Sequence, residues 1–345
     1  MAKCRITASF LFSLLVAVLI NPVHAATIEV HPGESIQNAI NEAVSGDTVF
    51  VFSGAYPETI SMKNGINVAG ETHRSVILKG RVFFKDADCT LKDFTVLFPE
   101  GSLLSYNNAY YTELNLEADA GITIINSAPV IQKCVIKPDL ELINSAEGSV
   151  PPIEYYGKAI QIWNMYNNPA ITPKIESTLI QDTDCGIYYF SQVFGGAISG
   201  EIKNNTFYHN KTGIVLRMHK ETPHILNNIF DSTQDSAVFL TYEDAGLFIT
   251  RKANINNNLF NQNSGNFWLD SAATNFDLIG IQGNIQDDPL FLDPLNDDFH
   301  LQAGSPALTA GEGGSLIGAY GEAGISELFI EITSPQSGIT IYPEP

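Results

Sequence analysis

The feature that most constrains this chain is a short phrase that keeps returning between Gly186 and Phe260. Gly186-Ile187-Tyr188-Tyr189, followed by Glu201-Ile202-Lys203-Asn204-Asn205-Thr206-Phe207, comes back as Gly213-Ile214-Val215-Leu216 with His224-Ile225-Leu226-Asn227-Asn228-Ile229-Phe230. It returns again as Ala237-Val238-Phe239-Leu240 with Asn254-Ile255-Asn256-Asn257-Asn258-Leu259-Phe260, the copies starting 27 and then 24 residues apart. Looser copies precede it at Gly121 to Ile124 with Ile131 to Ile136, and at Ala159 to Ile162 with Ile175 to Ile180. A repeat of this length, with short apolar runs and no helical period, describes a solenoid whose units bury their apolar faces only against one another. Leucine-rich repeats have similar lengths but need a fixed leucine framework, which is missing. What remains is all-β, a parallel β-helix.

In such a fold equivalent residues of successive coils lie one strand spacing apart, about 4.8 Å. Asn205, Asn228 and Asn258 then form a structural ladder in which each amide bonds the next at a turn. Phe207, Phe230 and Phe260 form an apolar stack two residues on. These phrases resemble the right-handed β-helix proteins of the pectate-lyase-like superfamily, and the expected fold is a single-stranded right-handed parallel β-helix with an N-terminal capping helix. At about 24 to 29 residues per coil, nine or ten coils are expected.

At the start of the chain, Lys3 and Arg5 precede an apolar run from Phe10 to Ile20, and Val23-His24-Ala25 offers a cleavage site, the layout of a secretory signal peptide over residues 1–25. The mature protein is expected to be secreted, periplasmic or at the cell surface, with no membrane insertion, because no other segment is long and apolar enough to span. Losing Lys3 and Arg5 takes the formal charge from −20 to −22. That field repels nucleic acid and anionic lipid. Three cysteines remain, Cys89, Cys134 and Cys185, an odd number at wide spacings that suits no disulfide framework. Cys134 falls at the Asn-ladder position one or two coils earlier, so a buried free thiol is expected there.

Along the chain, Thr27 to Val30 alternates like a strand, and Ser35 caps a helix in which Ile36, Ala39, Ile40 and Ala43 recur at helical spacing before Gly46 ends it. Such a helix covers the open end of the first coil, whose strand edges would otherwise be unpaired. Gly54-Ala55-Tyr56-Pro57-Glu58 resembles a Gly-x-Tyr-x-Glu phrase of secreted β-helix proteins, pectin methylesterases among them. The β-helix with its N-terminal cap is expected over residues 26–285. Between Asp139 and Lys158, adjacent prolines and no repeat phrase mark an insertion carrying Tyr155 and Tyr156. Asp288-Pro289-Leu290-Phe291-Leu292-Asp293-Pro294, Asp298 to Gln302, Gly304 to Leu308 and Ile317 to Tyr320 resemble the C-terminal cap named choice-of-anchor Q, so residues 286–321 are expected to close the last coil. Residues 322–345 read as a tail or as the start of a further β domain, similar to a bacterial immunoglobulin-like one.

The chemistry is less legible. Gln181-Asp182-Thr183-Asp184 resembles one pectin methylesterase motif, but neither its partner aspartate nor a Gly-Arg-Pro-Trp phrase accompanies it. The Gly-His-Gly and Arg-Ile-Lys phrases of polygalacturonases are absent too. Aligning the repeats sets Ile187, Ile214 and Val238 inward, so alternation turns the residues between them outward. One outward row is Gln161, Tyr188, Val215, Phe239 and Trp268, and the next is Trp163, Phe190, Arg217, Thr241 and Asp270. Trp163, Tyr188, Phe190, Phe239 and Trp268 thus form an aromatic stripe suited to the ring faces of a polysaccharide, or else a satellite core beneath the loop of Tyr155 and Tyr156. Arg217, His219 and Glu243 lie close on the same face: Glu243 would orient His219, and Arg217 would neutralise a uronate carboxylate during proton abstraction. The bland alternative is an exposed ion pair.

Asp184, Lys211 and Asp235 read as a solvated charge ladder. Asp287, Asp288, Asp293, Asp297 and Asp298 are compatible with structural or catalytic calcium, although their spacing matches no known loop. No cofactor is otherwise indicated. The expectation is a monomeric exported protein that binds an extracellular polysaccharide and, as an enzyme, would cleave it by β-elimination in the manner of a polysaccharide lyase. The opposed expectation is a non-enzymatic, adhesin-like structural module at the cell surface.

Overall fold

The computed structural model describes residues 25–99, 120–139, 157–165, 168–191, 196–217, 223–240, 254–269, 274–275, 277–321, 329–331 and 340–342. Each coil contributes one strand to each of three sheets of nine strands. Sheet A runs from Thr27–Val30 to Ile255–Asn256, sheet B from Gly54–Tyr56 to Ile285–Gln286, and sheet C from Ile60–Ser61 to Thr274–Asn275. Successive coils pair in parallel, and among the described strands of these sheets only Thr274–Asn275 runs antiparallel to its neighbour, Phe267–Leu269. This is the parallel β-helix expected from the repeat.

The repeat phrase now has a physical reading. Ile160, Ile187, Ile214 and Val238 are paired across sheet C and fully buried. Phe207, Phe230 and Phe260 stack in the lumen with ring centroids 4.7 and 5.2 Å apart and planes 9° from parallel. Burying each such ring contributes about 2 to 3 kcal/mol. The leading glycine follows from the same stack. A Cβ at Gly186 would lie 2.5 Å from the carbonyl oxygen of Gly213 and 2.9 Å from the Phe207 ring, and one at Gly213 would meet Ala237 and Phe230 in the same way.

Between sheets A and B the chain turns on two residues. The first takes positive φ, at Asp93, Lys133, Ser177, Asn204, Asn227 and Asn257, a backbone that Asn and Asp tolerate best. The second is the rung of a ladder. The Oδ1 of Asn228 accepts from the backbone N–H of Asn205 at 2.9 Å and from its Nδ2 at 3.0 Å, while Nδ2 of Asn228 donates to Ile202 O and to Asn258 Oδ1. Asn284 continues the ladder beyond Asn258, and Thr178 and Cys134 carry it back toward the N-terminus. Every amide is satisfied without water in a place where an unpaired one would cost about 1 to 3 kcal/mol. All three described cysteines are free and buried, as expected of Cys134; desolvation pushes the Cys89 and Cys134 thiols up to about 12.

A helix, Ile36–Glu42, packs Ile36, Ala39 and Ile40 on the core over the first coil. It stops at Glu42 rather than near Gly46, which sits in the following turn with φ 100°. Its start explains the Gly-x-Tyr-x-Glu phrase. Glu58 accepts hydrogen bonds from Ser35 Oγ and the Ile36 and Gln37 N–H groups, anchoring the helix N-terminus. Tyr56 fills the core beneath, its hydroxyl donating to Phe52 O at 2.7 Å. This phrase fixes the cap.

The segment 287–321 departs from expectation. It does not close the last coil, where Leu278 inserts into the core and Asn284 ends the ladder. It lies as a strap along the outside of sheet B. The reason is a second apolar surface there: Val135, Leu179, Ile229 and Leu259 face outward and bury themselves against Phe291, Phe299, Leu301, Ala307 and Ile317 of the strap. Polar contacts fasten it at Arg74 (to His300, 3.3 Å), Lys137 (to Asp297, 2.6 Å), Thr206 (to Ala319 N, 3.0 Å) and Asn227 (to Ser315, 3.1 Å). Beyond the strap, Phe329–Glu331 and Thr340–Tyr342 pair antiparallel.

Candidate functional site

The outer face of sheet C carries the aromatic side chains in the expected rows. Register places Thr123, Gln161, Tyr188, Val215, Phe239 and Trp268 on successive coils, and Ile125, Trp163, Phe190 and Arg217 two residues along. The strands hold them there because inward apolar residues flank each of them, which fixes the register against a one-residue slip. Burial divides the row. Phe83, Thr123, Ile125 and Gln161 are 5% exposed or less despite facing outward, whereas Tyr188, Val215, Phe239 and Trp268 are half-buried. Thr123 and Gln161 satisfy each other through a 2.9 Å hydrogen bond.

Trp163 and Phe190 pack with their rings tilted, centroids 4.8 Å apart at 50°. The Arg217 guanidinium sits 5.4 Å from the Phe190 ring centre and the Lys158 ammonium 5.7 Å from that of Tyr188, contacts worth about 0.5 to 1 kcal/mol each when exposed. The indole N–H of Trp163 is buried and has no acceptor among the described residues. The arrangement offers ring faces, two cations and an unused donor along one line of coils. His219 and Glu243, expected beside Arg217, lie outside the described residues, as do Thr241, Asp270, Tyr155 and Tyr156. Asp184, Lys211 and Asp235 follow one another at the corner before sheet C, all exposed, as a solvated row.

The aspartates considered for calcium do not converge. Burial opposes ionisation of Asp297 and Asp298, but Lys137 and Gln181 engage the first and His300, at 2.6 Å, the second, and both carboxyls are held below their usual range. Among the described residues, no group of three or more His, Cys, Asp or Glu side chains could hold a metal ion.

A cluster that the sequence did not reveal lies on sheet B, beside the strap. Gln181, Tyr208, Asp231 and Asn261 form one outward row. Next to it, at the corner, His209 Nδ1 stands 2.8 Å from Asp182 Oδ1, and this hydrogen bond raises the histidine pKa. Asp231 is 5% exposed, and desolvation pushes its carboxyl up to about 6, although Ser232 and Asn261 donate to it. Tyr208 packs edge-on against Phe299 at 4.9 Å, and burial raises its pKa. The available signal was the doubled apolar letters Leu179-Ile180, Ile229-Phe230 and Leu259-Phe260: strands apolar on both faces are covered on both faces.

Comparison with known proteins bears on the whole solenoid. Solved structures similar to it include a PL6-family alginate lyase, AlyGC, at 11% identity and TM-score 0.37, the match covering 70% of this chain and 40% of that one. Pectin methylesterase PemA from Erwinia chrysanthemi matches at 11% identity and TM-score 0.28 over 72% and 67% of the two chains. The A-module of mannuronan C-5 epimerase AlgE4 from Azotobacter vinelandii matches at 10% identity and TM-score 0.20 over 72% and 89%. The chain thus spans about two fifths of the length of the alginate lyase, and likenesses this loose carry nothing about chemistry. No curated protein matches the chain. Residues 106–284 match the family model described as periplasmic copper-binding protein (NosD).

Proposed function

The chain belongs to the NosD family, described as periplasmic copper-binding proteins, and from that premise we propose that it is an exported β-helix protein that binds an extracellular polysaccharide along the outer face of sheet C. The observation that carries this reading is the rung-by-rung succession of Tyr188, Val215, Phe239 and Trp268, half-exposed on four adjacent coils. Contiguous apolar ring faces open to solvent on a chain of charge −20 are costly to leave uncovered. Flat aromatic surfaces flanked by polar groups fit the C–H faces and hydroxyls of a sugar chain. Lys158 and Arg217 would meet acidic substituents, and in a lyase Arg217 would neutralise the carboxylate beside the abstracted proton.

Copper does not fit the described residues. Cys89, Cys134 and Cys185 sit apart at corners of different coils, and the first and second are held as thiols where a metal needs thiolates. His31, His73, His209, His224 and His300 converge with no second and third ligand.

A non-enzymatic surface module is the second reading. What favours it is Arg217, whose guanidinium is engaged with its own neighbour Phe190. The purified mature protein, screened against acidic and neutral polysaccharides for binding and for unsaturated uronate formation, separates the two. Binding weakened about tenfold in Trp268→Ala, roughly 1.4 kcal/mol, supports the sugar face; uronate formation lost in Arg217→Ala makes it a lyase. Silence in both assays leaves the scaffold reading.

A further inference from the structure

We propose that the strap over sheet B is a proton-sensitive latch, closed in acid and loosened as the pH rises toward neutrality. The geometry is that of a carboxyl group sealed beneath a removable cover. Asp231 points outward from sheet B and would be a surface residue on a bare solenoid, yet it is 5% exposed. Phe291 and Phe299 of the strap pack on Tyr208, its neighbour on the preceding coil.

Loss of water raises the Asp231 pKa more than the donors around it, which favour the anion, lower it. Ser232 Oγ donates to it at 2.9 Å from its own strand's end, and Asn261 Nδ2 at 3.2 Å from the next coil. From the strap comes Asp288, a like charge. From the preceding coil comes the Tyr208 hydroxyl, which Asp182 also faces. No cation acts on it among the described residues. Ionised, Asp231 would be a desolvated charge opposite a second carboxylate, and moving the strap away would return it to water.

A second pair works in the same sense. His209, beside Tyr208 at the corner, has its pKa raised by its hydrogen bond to Asp182, so that bond weakens as the pH rises. For both groups the folded pKa lies above the free value; for Asp231 the stabilisation is complete below about 3.8 and is lost as the pH rises from there through about 6. The middle of the strap is held by Arg74 and Lys137, and there Lys137–Asp297 and His300–Asp298 both measure 2.6 Å. The depressed carboxyls there stay ionised across this range, so those contacts hold while the segment that carries Asp288 loosens.

Hydrogen exchange of the intact mature protein tests this, with the protection of peptides from 287–321 taken relative to strand peptides of the solenoid at each pH. Relative protection should fall between about tenfold and a hundredfold from about pH 4 to pH 7. Asp231→Asn should stay protected throughout, and Asp288→Asn, an exposed change, should lower the steepness without unfolding the protein. A strap whose relative protection is flat with pH in the wild type, or an Asp288→Asn profile identical to it, overturns the latch. If Asp231→Asn does not fold, the wild-type and Asp288→Asn profiles decide.

Discussion

The outer face of sheet C before Met165 and the same face after it are built on one register but reach opposite ends. Along the row from Phe83 through Thr123 to Gln161 the outward side chains are buried; from Tyr188 onward that row is half-open. The strands do not differ in kind, but their connections do. In the earlier coils the chain leaves sheet C by short corners, as at residues 86–89 and 126–129, and enters it after long segments, residues 99–119 and 139–157. In the later coils the entry is short, as at residues 182–184 and 209–211, and the long segments follow sheet C, as at 192–200 and 241–254. Insertions have changed edges partway along a regular scaffold. A solenoid can therefore place an open face anywhere along its length by moving loops, leaving the core repeat untouched.

If loops alone set the exposure, core changes should act alike in both halves and face changes should not. The largest effect is expected in the lumen, where Phe230→Ala should destabilise by about 4 kcal/mol, measured by chemical denaturation, because the rings above and below cannot close the gap. Next comes pH. Asp231 with a pKa raised from 3.8 to about 6 contributes about 3 kcal/mol in acid that is gone above neutrality, so denaturation midpoints should fall over that range and Asp231→Asn should flatten the slope. Asn228→Ala should cost about 2 to 3 kcal/mol, more than Thr178→Ala at about 1, because it strands four hydrogen-bonding groups. On the face itself, Trp268→Ala should weaken sugar binding with little loss of stability, while Phe83→Ala should lower stability and spare binding. Equal binding losses from the two would erase the distinction between the halves. The smallest change is Arg217→Lys, which keeps the charge and alters only an exposed cation–π contact worth about 0.5 to 1 kcal/mol, so affinity should shift less than about fivefold.

How much of this the sequence disclosed depends on whether a residue belongs to the repeat. The rows of Ile187, Asn205, Phe207 and Tyr188 were legible because stacking copies a position from coil to coil, so spacing alone assigns partners. The strap was not, because its phrases recur nowhere and nothing in Phe291 or Tyr320 states which surface receives them. Expecting it to cap the final coil followed from its place in the chain, whereas the apolar outward residues Leu179, Ile229 and Leu259 determined where it went. Asp231 was missed for the same reason: an outward aspartate reads as solvated until its cover is known. The helix cap lies between these cases. Its helix was plain from periodicity, but the part played by Glu58, which reaches it across 22 residues to Ile36, was not.

The strap also changes how the molecule should come apart. A stack of coils that touch only their neighbours is a one-dimensional chain of weak links, able to fray from either end and to populate partly melted forms. Here one segment grips Arg74, Lys137, Thr206 and Asn227 together, tying coils that are far apart in the array. With that tie in place no coil can melt alone without also surrendering contacts elsewhere, so unfolding becomes cooperative across the array. Synthesis delivers this segment after the coils it binds, so the tie that converts a graded structure into an all-or-none one closes only once those coils exist.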